Sequence, residues 1–205
     1  NATFNITTNR GISVTSSNVA FKNITFNYTP TVIGVGTDFI LSEAGGSGGG
    51  GCINVPLNSS ASINLKDIVI ENCTFNCSVD NTHRRPFISI NLSKNQTIDG
   101  LVVRNCKFND TYESGASAAI AIVNDNGGSS SNAAILANSI IENNICNSTQ
   151  GIYITSGMSA GSVFSIPGLS CVITIIRNNI VGSIGYTISS YSVRSTSRCS
   201  FGYNL

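Results

Sequence analysis

A short block recurs along the chain and limits what the chain can fold into. It reads Asn1-Ala-Thr-Phe4-Asn5-Ile-Thr7, then Asn23-Ile-Thr-Phe26-Asn27-Tyr-Thr29. It returns as Asn72-Cys-Thr-Phe75-Asn76-Cys-Ser78 and Asn105-Cys-Lys-Phe108-Asn109-Asp-Thr111. Weaker copies are Asn143-Asn-Ile-Cys146-Asn147-Ser-Thr149 and Asn178-Asn-Ile-Val181. If the first Asn is position zero, the residue before it is Lys22, Glu71, Arg104, Glu142 or Arg177, and the one before that is Phe21, Ile70, Val103, Ile141 or Ile176. Position +3 is Phe in four copies, then Cys, then Val. A pattern shared over so many columns marks one structural unit stacked on copies of itself.

Each block reads apolar, charged, Asn, then apolar three places on. That pattern predicts a strand, a bend and a second short strand. Side chains alternate along a strand, so Ile68, Ile70 and Asn72 share a face. Asn tolerates the left-handed backbone such a bend requires. The charged column then meets water, Phe75 points inward with Cys73 on its face, and Asn76 points out. Asn23, Asn72, Asn105, Asn143 and Asn178 are expected to stack as an interior Asn ladder. The zero positions are separated by 22, 49, 33, 38 and 35 residues. Another strand column is expected between blocks, at 53–55, 88–90, 119–123, 152–154 and 186–188. Inserted loops are expected near 43–51, 78–86, 112–118, 124–134 and 156–170, and an extra coil around 31–35 would fit in the longest gap.

These repeats resemble those of right-handed parallel β-helix proteins, the broad pectate-lyase-like superfamily. The glycine run before Cys52-Ile53 and the Phe-Asn-x-Ser/Thr steps are similar to the polymorphic outer-membrane-protein type of repeat. The resemblance implies an all-β fold, one domain spanning 1–205, built as a single-stranded right-handed parallel β-helix of about six to seven coils. A β-sandwich is the alternative, since short alternating strands suit both.

Composition narrows the partners and the compartment. Charged residues are 10% of the chain and the net charge is +1, so nothing electrostatic points to nucleic acid or an anionic membrane. No apolar run approaches the ~20 residues of a membrane span. Uncharged polar residues dominate, with 26 Asn, 30 Ser and 17 Thr beside 27 Ile, a mixture typical of turn-dense β structure. Asn-x-Ser/Thr sequons begin at Asn1, Asn5, Asn23, Asn27, Asn58, Asn72, Asn76, Asn91, Asn95, Asn109 and Asn147. These eleven exceed the number expected by chance and suggest a secreted glycoprotein, extracellular or on a cell surface. Glycans are expected on the outward Asn5, Asn27, Asn76, Asn109 and Asn147, and on Asn58, Asn91 and Asn95. Asn23 and Asn72 are expected to stay bare inside their ladder, while Asn1 is assigned to neither group. The seven cysteines fit an oxidising compartment. Cys73 and Cys106 share a column of adjacent coils, and with Cys52, Cys77, Cys171 and Cys199 they are candidates for disulfides or stacked core thiols. No signal peptide is present, so a mature or trimmed chain is expected.

The resemblance implies an enzymatic possibility, because many such proteins cleave polysaccharides. The residues point elsewhere. No carboxylate pair has the Asp-Asp doublet of polygalacturonase-like hydrolases, and Glu71 and Glu142 alternate with cations in one solvated column. The one dense charged cluster is Asp80, His83, Arg84 and Arg85, the weak candidate for lyase chemistry against an ordinary solvated loop. His83 is the single histidine, and no metal or cofactor pattern is present. The run at 45–51 lacks the Gly-Lys-Ser/Thr ending of a phosphate cradle.

A stacked solenoid must cover its two ends. Asn1 already occupies position zero, so no capping segment is seen. The expectation is either a piece of a longer β-helix or a head-to-tail homopolymer of this chain. The leading functional expectation is a structural subunit of an extracellular filament or surface coat. A surface adhesin or carbohydrate-binding module comes next, and a polysaccharide lyase or hydrolase last.

Overall fold

The computed structural model describes residues 1–7, 10–29, 51–55, 64–77, 87–92, 96–110, 118–124, 135–146, 150–156, 170–172, 174–177, 179–181, 187–188 and 199–202. Among them there is no helix. The first round of the chain holds β1 (Ala2–Ile6), β2 (Arg10–Ser13) and β3 (Val19–Lys22). The second holds β4 (Ile24–Tyr28), β5 (Gly51–Val55) and β6 (Asn64–Glu71). In the third are β7 (Thr74–Cys77), β8 (Ile88–Leu92) and β9 (Thr97–Arg104). The fourth contains β10 (Lys107–Asp110), β11 (Ala118–Asn124), β12 (Ile135–Ala137) and β13 (Ile140–Glu142). The fifth contains β14 (Ile145–Cys146), β15 (Gln150–Ser156), β16 (Ser170–Val172) and β17 (Thr174–Arg177). Last come β18 (Ile180–Val181), β19 (Thr187–Ile188) and β20 (Cys199–Gly202).

The rounds build three sheets, which the chain visits in turn. The first sheet runs β1-β4-β7-β10-β14-β18 and the second β2-β5-β8-β11-β15-β19. The third joins β3 to β6, β6 to β9, then β12 with β13, β16 with β17, and β20. Every described pairing is parallel, which excludes the antiparallel sheets of a β-sandwich for these strands. Register follows the repeat column by column: Phe4 lies over Phe26, Phe26 over Phe75, and Phe75 over Phe108. A slip of one residue would turn every inward Phe out to water, so the apolar columns hold the register.

One hydrophobic core runs between the sheets. It takes Phe26, Phe75 and Phe108 from the first sheet and Ile53, Ile88, Ile90, Ile120, Ile122 and Ile152 from the second. The third sheet adds Ile70, Leu101, Val103 and Ile141. Each such side chain contributes about 1.5–3 kcal/mol by leaving water. The phenylalanines stack almost flat, with ring centroids 4.9 Å apart for Phe26–Phe75 and 4.8 Å for Phe75–Phe108. Those separations match the rung spacing of a sheet, so stacking and strand pairing are satisfied together.

Candidate functional site

The most ordered chemistry lies at the bend from the third sheet into the first, where position zero of the repeat sits. Asn23, Asn72, Asn105 and Asn143 have φ of 56°, 54°, 54° and 54°. Left-handed backbone suits Asn better than any other residue with a side chain except Asp, which accounts for the column. Each bend is tied to the next round: the N–H groups of Asn23, Asn72, Asn105 and Asn143 donate to the carbonyls of Glu71, Arg104, Glu142 and Arg177.

Around these bends the columns take different roles. The charged column pairs across rounds: Lys22 Nζ lies 3.2 Å from Glu71 Oε2, and Arg104 Nε donates to Glu71 Oε1 at 2.7 Å. Arg177 Nε donates to Glu142 Oε2 at 2.8 Å. Hydrogen bonds from Lys22 and then Arg104 hold the Glu71 carboxyl below its ordinary range.

The side-chain amide ladder runs down a different column from the one expected. It is built at position +4, where Asn27 Nδ2 donates to Asn5 Oδ1 at 2.9 Å, Asn76 Nδ2 to Asn27 Oδ1 at 3.0 Å, and Asn109 Nδ2 to Asn76 Oδ1 at 2.9 Å. Asn27, Asn76 and Asn109 are half-buried, whereas Asn23, Asn72, Asn105 and Asn143 are exposed. The reason is the bend itself. A left-handed residue at the corner turns its side chain away from the core, while the flat strand after it stacks amides one rung apart. Asn178 lies outside the described residues.

Inside the bend, position +1 forms a buried polar column that extends the expected Cys73–Cys106 column with Asn144 and Asn179. Cys73 Sγ lies 3.5 Å from the Phe21 carbonyl and Cys106 Sγ 3.6 Å from that of Ile70. In the next two rounds Asn144 Nδ2 donates to Val103 at 3.1 Å and Asn179 Nδ2 to Ile141 at 3.1 Å. Phe21, Ile70, Val103 and Ile141 are one column of the third sheet, so each +1 side chain reaches back to the same carbonyl of the preceding round. The doublets Asn143-Asn144 and Asn178-Asn179 were the available sequence signal.

Cys52, Cys73, Cys77, Cys106 and Cys146 are all buried free thiols. Burial pushes Cys146 up to about 12 and holds Cys52 well above its ordinary value, with Cys77 adding to the latter. Contact between the stacked thiols of Cys73 and Cys106 splits the pair, lowering Cys73 and raising Cys106, with burial adding to the rise of Cys106. The side chains of Cys171 and Cys199 lie outside the described structure.

A second corner, absent from the sequence reading, repeats this logic within the third sheet. Asn18, Asp67, Gly100 and Asn138 have φ of 61°, 54°, 82° and 46°. Buried Ser139 accepts from the Leu101 N–H at 3.2 Å and donates to the Ala137 carbonyl at 2.8 Å. Asn138 Nδ2 donates to Asp99 Oδ1 at 2.7 Å.

Asp80, His83, Arg84 and Arg85 lie outside the described residues, as do Asn58, Asn95, Asn147, most of the expected inserted loops and the proposed coil at 31–35. For Asn91 only the backbone, in β8, is described. One void of about 10 Å³ is lined by Val14, Val55, Leu65, Leu92, Gln96 and Ile98, room for a single water. Among the described residues no three His, Cys, Asp or Glu side chains gather as a metal site, and no helix is long and apolar enough to cross a membrane. The site is therefore a set of in-register ladders. No family model, curated protein or solved structure matches the chain.

Proposed function

We propose that the chain winds as a single-stranded right-handed parallel β-helix and serves as a secreted, N-glycosylated structural subunit. In this reading it stacks end to end into an extracellular filament or surface coat. The visiting order of the three parallel sheets supports the helix, and parallel crossovers are right-handed in the great majority of cases.

The observation that carries the assembly reading is the strict register of the ladders. Phe26, Phe75 and Phe108 stack rung on rung, and Asn5, Asn27, Asn76 and Asn109 join in one amide chain, a pattern that further copies could continue. Electron microscopy of the purified glycoprotein tests this. Rods growing end to end are expected, and monodisperse particles at all concentrations would overturn the assembly.

A carbohydrate-binding adhesin is the second reading, favoured by one face. Thr3, Thr25 and Thr74 stack in register beside the amide ladder on the outer side of the first sheet, and Lys107 continues their column, a row of hydroxyls and amides with one cation. Binding of a monomer on a glycan array, without rods, would move this reading ahead.

A further inference from the structure

We infer that the glycan acceptors at this corner are Asn23 and Asn72, and that Asn27, Asn76 and Asn109 stay bare. The inference rests on the secreted reading above and reverses the assignment that the repeat alone suggests.

All five residues lie in sequons, so the motif does not separate them. Their side chains do. Asn23 and Asn72 sit at left-handed corners and are exposed, with the backbone N–H of each tied to the next round. Asn27, Asn76 and Asn109 are half-buried, and each amide nitrogen donates to the asparagine one round back. Asn76 is held on both sides, donating to Asn27 and accepting from Asn109.

The transfer needs one amide nitrogen and a lipid-diphosphate-linked oligosaccharide as donor. Asn Nδ2 bonds to C1 of the first sugar, the bond from C1 to the diphosphate oxygen breaks, and the diphosphate leaves with that electron pair. The Nδ2 proton is released. Addition precedes folding, so the fold decides which glycosylated chains can close. A sugar on Asn76 would have to fit between Asn27 and Asn109, each one rung or about 4.8 Å away. A pyranose with its substituents is broader than that gap. At the corner, side chains leave the sheet and a sugar can fan into water.

The test is site occupancy of the full chain secreted from a eukaryotic host. Enzymatic deglycosylation in heavy-oxygen water marks each former glycosite as Asp, and peptide mass spectrometry reads it. Occupancy at Asn23, Asn72 or both is expected, with Asn27, Asn76 and Asn109 unmarked. N23Q and N72Q should remove glycan mass from the secreted protein, whereas N27Q and N76Q should not. Occupied Asn27, Asn76 and Asn109 with bare Asn23 and Asn72 would overturn the inference and leave secretion standing. A chain bare at every sequon would overturn the inference together with the N-glycosylated reading it rests on.

Discussion

The main-chain N–H of Cys106 donates to the side-chain oxygen of Asn144 at 3.0 Å, across residues 38 apart in sequence. The same amide's nitrogen donates to the Val103 carbonyl at 3.1 Å and to Asn179 Oδ1 at 3.0 Å. One buried side chain thus ties three rounds together, in a place where water cannot substitute for it.

Replacing that amide should therefore be costly. Asn144→Ala leaves the Cys106 N–H and the Val103 carbonyl without these partners, and each loss costs about 1–3 kcal/mol. A total destabilisation of about 2–6 kcal/mol is expected. Asn144→Cys should fall between wild type and Ala, because Cys73 and Cys106 occupy equivalent positions and reach the same carbonyl column. Urea titration of the three proteins checks the order.

The aromatic column should show a gradient along the stack. Phe75 lies between Phe26 and Phe108 and is fully buried, so Phe75→Ala is expected to cost about 3–5 kcal/mol. Phe4 keeps nearly half its surface in water, and Phe4→Ala should cost well under half as much. Thermal unfolding of both variants decides it. Equal losses would mean that Phe4 is covered in solution, as end-to-end stacking requires.

Glu71 should make stability depend on pH in the acid range. Its folded value lies below the unfolded one, because Lys22 and then Arg104 bond its ionised form. The stabilisation is full above the ordinary carboxylate value and is lost as pH falls through the lower, folded value. Glu71→Gln should be less stable than wild type at neutral pH, and the gap should close on acidification. Denaturant midpoints across the acid range measure the gap; a gap independent of pH would show that charge is not its source.

Gly100 holds the second corner with φ of 82°. A Cβ there would come 2.9 Å from Asp67 Oδ1, a contact the Asp side chain can rotate to relieve. The remaining cost is the left-handed backbone, about 1–2 kcal/mol for Gly100→Ala. Gly100→Asn should cost less than half of that, since Asn138 adopts the same conformation at the equivalent position of the next round. Paired urea titrations of the two variants test the difference.

Much of the fold was legible because the repeat is strict in the columns that face the core. The inward Phe column, the charged column and the strands of the second sheet follow from alternation and hydrophobicity, which are local properties. Those strands appear at Gly51–Val55, Ile88–Leu92, Ala118–Asn124 and Gln150–Ser156, close to the expected ranges. Less legible was the second corner, because Asn18, Asp67, Gly100 and Asn138 share a backbone conformation and not a residue type. The continuation of the Cys73–Cys106 column into Asn144 and Asn179 was hidden for a related reason. Cys and Asn look unlike in sequence, yet both can donate a hydrogen to the carbonyl one round back.

What the sequence by itself determined is the period, the inward and outward alternation, and left-handed asparagine at position zero, since each depends on neighbours a few residues apart. Only the tertiary structure decided which asparagines form the ladder. Asn23 and Asn27 are both sequon asparagines, four residues apart in one block. One lies on a corner and turns outward, while the other lies on a flat strand within hydrogen-bonding reach of its equivalent in the next round. That distinction depends on the spacing between rounds, which the chain acquires only by stacking on itself.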